Sequence, residues 1–253
     1  MSASVIAVLA LLGACAAIPF LWMRFDSQGN SSQRRLASVS LLLLGLFVFG
    51  YFAATALPGE VDFRLDPTSK ESLGWVYPLI CLAAFIGKPS ILIVMAIVMT
   101  ASALAAGSAR RAWTLLAVVA GEFATCALLK HTIGRARPAG NLEAAADLAF
   151  PSAHASNCVL VYGALLVMLT QTRRLAPLRG LLSAAYVVFI TGMGASRILM
   201  RAHSGLDVLS GLAWGAYWLA LLVLVWNGAW CSSPPKLPAQ IAAKQETLDA
   251  PAR

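Results

Sequence analysis

The feature that most constrains this chain is a series of long apolar runs without a single charge: residues 2–23, 36–57, 89–109, 155–172, 180–196 and 208–230. A helix rises about 1.5 Å per residue, so roughly 20 residues match a hydrocarbon layer of about 30 Å. A seventh run, 112–129, is interrupted only by Glu122. Within lipid every backbone N–H and C=O must find its partner inside the protein, which favours helices for runs of this length. Composition agrees: 59% of the 253 residues are hydrophobic and 12% are charged, against about 25% charged in a soluble domain. The chain is expected to be an all-α, polytopic membrane helical bundle.

Residues 2–23 could also pass for a signal peptide, and Leu12-Gly13-Ala14-Cys15 faintly resembles a lipoprotein processing site. A signal peptide needs a positive n-region, and no charge precedes Arg24, so a retained span is expected. Residues 72–87 are apolar but short, broken by Pro78 and followed at once by Lys88. They read as an interfacial or re-entrant helix. The tail from residue 231, rich in Pro, Ala and polar residues, has too little apolar content to fold and is expected to be disordered.

The net charge of +8 does not indicate nucleic acid, because the cations are spread between apolar runs and form no cluster with interleaved aromatics. They indicate membrane orientation instead. If every run spans, one side receives Arg24, Arg34, Arg35, Arg110, Arg111, Arg173, Arg174, Arg179, Lys236, Lys244 and Arg253. The other receives Arg64, Lys70, Lys88, Lys130, Arg135, Arg137, Arg197 and Arg201, offset by seven acids. The richer side is cytoplasmic, which puts the N-terminus outside and the C-terminus inside. Trp22, Trp113, Trp226 and Trp230 fall near inner ends of spans, Trp75 and Tyr77 near the outer face, as an aromatic belt requires. Five cysteines (Cys15, Cys81, Cys126, Cys158, Cys231) lack paired close spacing and read as free packing residues, not as a metal or disulfide framework.

Three outer segments carry unusual residues. The first has Lys130, six residues, then Arg137-Pro138; the second is Pro151-Ser152-Ala153-His154; the third has Ser196-Arg197, five residues, His203, three residues, Asp207. Singly, each has a plain structural explanation. Lys130, Arg137 and Arg197 can anchor helix ends by snorkelling, Ser152 can be an N-cap, and His203 and Asp207, four apart, can form a structural pair on one helix face. Together, however, the topology brings three cations, a helix N-terminus, two histidines and a carboxylate to one membrane face. That set suits a phosphate with attacking and leaving atoms on opposite sides.

These residues resemble the type 2 phosphatidic acid phosphatase family, which shares its site with bacterial acid phosphatases and vanadium haloperoxidases. The family pattern is Lys, six residues, Arg-Pro; then Pro-Ser-Gly-His; then Ser-Arg, five residues, His, three residues, Asp. The likeness covers roughly residues 85–226, and the ordered triple motif is highly specific. Ala153 stands where the family usually has Gly, and Arg201 where many relatives have a small residue. The resemblance implies a six-helix phosphatase core preceded by one extra transmembrane helix. Residues 1–35 would form that helix and a cytoplasmic loop, 36–230 the phosphatase domain and 231–253 the tail. It implies that His203 attacks phosphorus to form a phosphohistidine, that Asp207 fixes its tautomer and that His154 protonates the leaving oxygen and then activates water. Lys130, Arg137, Arg197, Ser152 and Ala153 would bind the phosphoryl oxygens, with no metal and no cofactor. The expected substrate is a membrane lipid phosphate: phosphatidic acid, phosphatidylglycerol phosphate, undecaprenyl diphosphate or a lipid A phosphate. The expected location is a bacterial inner membrane with the site toward the periplasm. An anion transporter and a vanadium-dependent haloperoxidase are the competing readings. Arg135 and Arg201 could add affinity for a diphosphate. Glu122 reads as a buried, hydrogen-bonded acid, roughly 12 Å along the helix from Lys130, and Gly211 and Gly215 as an internal helix contact.

Overall fold

A computed structural model describes residues 31–56, 73–138 and 148–228. The predicted first span and the C-terminal tail lie outside the described residues. So do Cys15, Cys231, Trp22 and Trp230. Among the described residues there are seven α-helices and no strand: α1 (Ser31–Ala56), α2 (Val76–Ile86), α3 (Pro89–Ala105), α4 (Ala109–Ile133), α5 (Ala153–Gln171), α6 (Arg179–Leu199) and α7 (Gly205–Gly228), with a 3-10 turn at Ala176–Leu178. Five helices are long and apolar enough to cross a membrane, and α2 with α3 forms a sixth, broken unit bent by 52°. The chain is an integral membrane protein.

The helices wear their apolarity on the outside. Phe49, Leu181, Val188 and Leu209 are exposed, the reverse of a soluble protein and the expected surface for lipid contact. Trp75 and Trp113 are exposed as a belt requires, whereas Trp226 is buried against α3 and α5 residues in one of the two main cores. Cys126 and Cys158 are buried free thiols and Cys81 a partly buried one, as packing residues should be.

The break between α2 and α3 has a local cause. Gly87 ends α2, Lys88 is extended, and Pro89 occupies the first turn of α3, where its missing N–H costs nothing. Pro78 sits in the first turn of α2 for the same reason. Tyr162 of α5 donates its O–H to the Ile86 carbonyl at 3.0 Å, capping the end of α2. Ile80 of α2 packs with Met200 and Ala202, so the short helix lies against the turn that follows α6.

At the centre, α7 packs on α1, α4, α5 and α6. Its approach to α5 requires glycine. A Cβ at Gly211 would meet the Ser152 carbonyl oxygen at 2.5 Å, and one at Gly215 would meet that of Ser156 at 2.2 Å. These glycines therefore serve the internal contact expected from their spacing. Gly215→Leu is expected to push α5 off α7, costing at least the 1–3 kcal/mol typical of overpacking; a lowered unfolding temperature of the detergent-solubilised protein is the check.

Candidate active site

The ends of four helices meet at one side of the bundle: the C-termini of α4 and α6 and the N-termini of α5 and α7. Helix α4 carries Lys130 in its last turn and stops at Gly134, whose φ of 66° is the left-handed conformation glycine accepts readily. The chain then leaves the helix and carries Arg135 and Arg137 without regular secondary structure. Lys130 donates to the Leu148 carbonyl, and Ala149 N–H donates to the Arg135 carbonyl at 2.8 Å, so this segment is tied to the approach to α5. The Phe150–Pro151 peptide is cis.

Helix α5 begins at Ala153 with Ser152 at the N-cap, but the Ser152 side chain makes no capping bond. Its hydroxyl is buried and has no hydrogen-bond partner among the described residues. The Ser152 N–H donates to the Asp207 carbonyl at 3.0 Å, fixing the start of α5 against the first turn of α7. Ala153 is the first residue of α5 and is not among the positive-φ residues, so the absence of glycine there imposes no strain.

Arg197, in the last turn of α6, is fully buried. Its carbonyl accepts the N–H groups of Ala202 at 3.0 Å and His203 at 3.2 Å, drawing the intervening turn tight. Arg201 adopts a positive φ of 53° in that turn, and Arg137 Nη1 donates to the Ala202 carbonyl at 2.8 Å. Arg137, Arg197 and His203 are thereby joined through one short stretch of backbone.

The His203/Asp207 pair differs from its sequence expectation. His203 precedes α7, so the two residues do not share a helical face, and Nδ1 lies 3.9 Å from Asp207 Oδ2, too far for a hydrogen bond. The carboxylate is engaged elsewhere. Ser204 and Asp207 form a reciprocal capping box: Ser204 N–H donates to Oδ2 at 2.8 Å, and Asp207 N–H donates to the Ser204 hydroxyl at 3.3 Å. Arg135 Nη1 takes Oδ1 at 2.7 Å. Ser204 is a residue the motif reading missed, although Ser-x-x-Asp before an apolar run is a recognisable helix-start signal. Arg135 on Asp207 and Arg137 on the Ala202 carbonyl both reach the stretch where α6 gives way to α7.

His203 is buried, whereas His154 is partly exposed. Burial, followed by the charges of Arg137, Lys130, Arg197 and His154, holds the His203 imidazole well below the ordinary histidine value of 6.5. The site therefore favours the neutral imidazole at His203 while surrounding it with cations. Among the described residues no three His, Cys, Asp or Glu side chains are grouped as metal ligands; the positive charges that act on His203 are those of Arg137, Lys130, Arg197 and His154.

The sequence model of the PAP2 superfamily matches residues 111–231, the stretch holding all three segments. Residues 111–231 thus carry the PAP2 superfamily pattern. The fold is similar to that of a solved protein: the crystal structure of a transmembrane PAP2-type phosphatidylglycerolphosphate phosphatase from Bacillus subtilis superposes with a TM-score of 0.58. Sequence identity is 20%, over 74% of this chain and 94% of the other. A search of curated proteins finds no match.

The position of His203 in this site yields a direct expectation. In NMR spectra of histidine-labelled protein its titration midpoint should fall below about 6.5, and Arg137→Gln, by removing a nearby cation, should move that midpoint upward. A midpoint at or above the ordinary value, insensitive to the substitution, would contradict the electrostatic account.

Proposed function

We propose that this protein is an integral-membrane lipid phosphate phosphatase working through a phosphohistidine intermediate. The observation that carries the reading is the gathering, from three distant segments, of Lys130, Arg137, Arg197, the α5 N-terminus, His154 and His203 at one end of the bundle, with His203 held neutral.

In this mechanism the phosphate sits between the two imidazoles. Lys130, Arg137 and Arg197, with Ser152 and the N–H of Ala153, hold its non-bridging oxygens, and fixed cations in a dry site stabilise the transition state. His203 attacks phosphorus while His154 gives its proton to the departing lipid oxygen. The lipid alcohol leaves, His154 then takes a proton from water, and that water displaces His203 from phosphorus. Asp207 orients His203. Its 3.9 Å separation from Nδ1 is of the kind that tightens when substrate fills a site. The cations make a metal ion unnecessary, and we infer a metal-independent reaction.

The two-tailed lipid of the Bacillus relative, phosphatidylglycerol phosphate, heads the list of candidate substrates, with phosphatidic acid, undecaprenyl diphosphate and lipid A phosphates following. The charge distribution supports an outer, periplasmic site in a bacterial inner membrane and a cytoplasmic C-terminus.

Purified protein should release phosphate from at least one of these four lipids in the presence of EDTA. Vanadate, which mimics the five-coordinate transition state, should inhibit release. His203→Ala and His154→Ala should each lose at least about 100-fold in kcat. Since His203 acts as the neutral base form, kcat/KM should fall toward low pH with a midpoint below about 6.5 and fall again at high pH as His154 loses its proton. Retained activity in His203→Ala, or loss of activity on EDTA treatment, would remove the mechanism.

A further inference from the structure

Behind the first turn of α5, on its bundle side, lies a polar cluster that the mechanism above does not use. Glu122, midway along α4, is fully buried. The Ser156 hydroxyl donates to its Oε1. The Asn157 amide, oriented with its nitrogen toward Glu122, donates to the two carboxylate oxygens at 3.1 and 2.8 Å, and the same nitrogen reaches the Ala153 carbonyl at 3.2 Å. A continuous chain therefore runs from the Glu122 carboxylate through the Asn157 amide to Ala153, the residue between Ser152 and His154. On the far side of the same turn, Gly211 and Gly215 of α7 close on the carbonyls of Ser152 and Ser156. The α5 start is clamped between two helices, by apolar contact from α7 and by hydrogen bonds from α4.

A carboxyl group inside a membrane bundle is costly and needs a reason. Its two oxygens can accept from Ser156 and Asn157 together, and an acceptor in front of Asn157 is what turns the amide nitrogen, not its oxygen, toward Ala153. An apolar residue at position 122 would leave that amide without the partner that orients it. We propose that Glu122 is a positioning residue which, through Asn157, fixes the first turn of α5 and so aims His154 at the oxygen of the leaving lipid alcohol. The inference rests on the role given to His154 above.

The test exploits the chemistry of that step. A lipid alkoxide is a strongly basic leaving group that needs a proton; nitrophenolate is weakly basic and departs without one. Full-length Glu122→Leu and Asn157→Leu proteins are compared with wild type on phosphatidic acid in detergent micelles and on p-nitrophenyl phosphate. The expected result is a kcat/KM, which reports phosphoenzyme formation and not the water step that both substrates share, lower by about 30-fold on the lipid and by less than about threefold on the aryl phosphate. The double variant should be no worse than either single one, because both break the same chain. Asn157→Leu leaves the Glu122–Ser156 bond in place and carries the test if Glu122→Leu does not fold. Equal losses on both substrates, which simple destabilisation would produce, or no loss on the lipid, overturn the inference while leaving the phosphatase reading intact. A wild-type protein inactive on both substrates removes the reading of the site and this inference with it.

Discussion

The contact between α5 and α7 is the constraint on which the site depends. Two glycines one helical turn apart, Gly211 and Gly215, let the backbones approach until the Ser152 and Ser156 carbonyls occupy the space a Cβ would need. That approach allows Ser152 N–H to reach the Asp207 carbonyl. A helix start, with its unpaired amides and positive dipole end, is thereby set beside the turn that carries His203. Neither motif segment could supply this arrangement alone, since each would otherwise expose polar backbone to lipid.

Charge then differentiates the residues so assembled. Asp207 accepts from the Ser204 amide and Arg135, which stabilises the start of α7 and holds the carboxylate 3.9 Å from His203 Nδ1. Fully buried Arg197 adds a cation whose hydration is lost in the fold; in the proposed reaction a phosphoryl oxygen would offer it the interaction that water would have given.

Much of this was legible in the residues. The run lengths predict the spans, and the three spaced motifs predict which ends converge, because alternating spans leave little freedom in which loops share a side. The internal role of Gly211 and Gly215 and the buried, hydrogen-bonded state of Glu122 also follow from spacing and polarity. Other features depend on where a helix begins. Treating His203 and Asp207 as a helical i, i+4 pair fails because α7 starts at Gly205, between them; the Ser204-x-x-Asp207 cap marks that start but competes with a more familiar reading of the same aspartate. Arg135 looks like a loop cation until the fold brings residues 135 and 207 together. Trp226 matches an interfacial aromatic by position along its span, yet it faces α3 and α5. Distance along a helix gives depth in the bilayer and says nothing of direction around the axis.

The unequal burial of the two histidines has a consequence for traffic. His203 is buried and His154 is partly exposed, so of the two imidazoles the second is the one within reach of the surroundings. In the proposed reaction the departing alcohol and the hydrolytic water, which both exchange a proton with His154, would meet the more accessible of the two imidazoles.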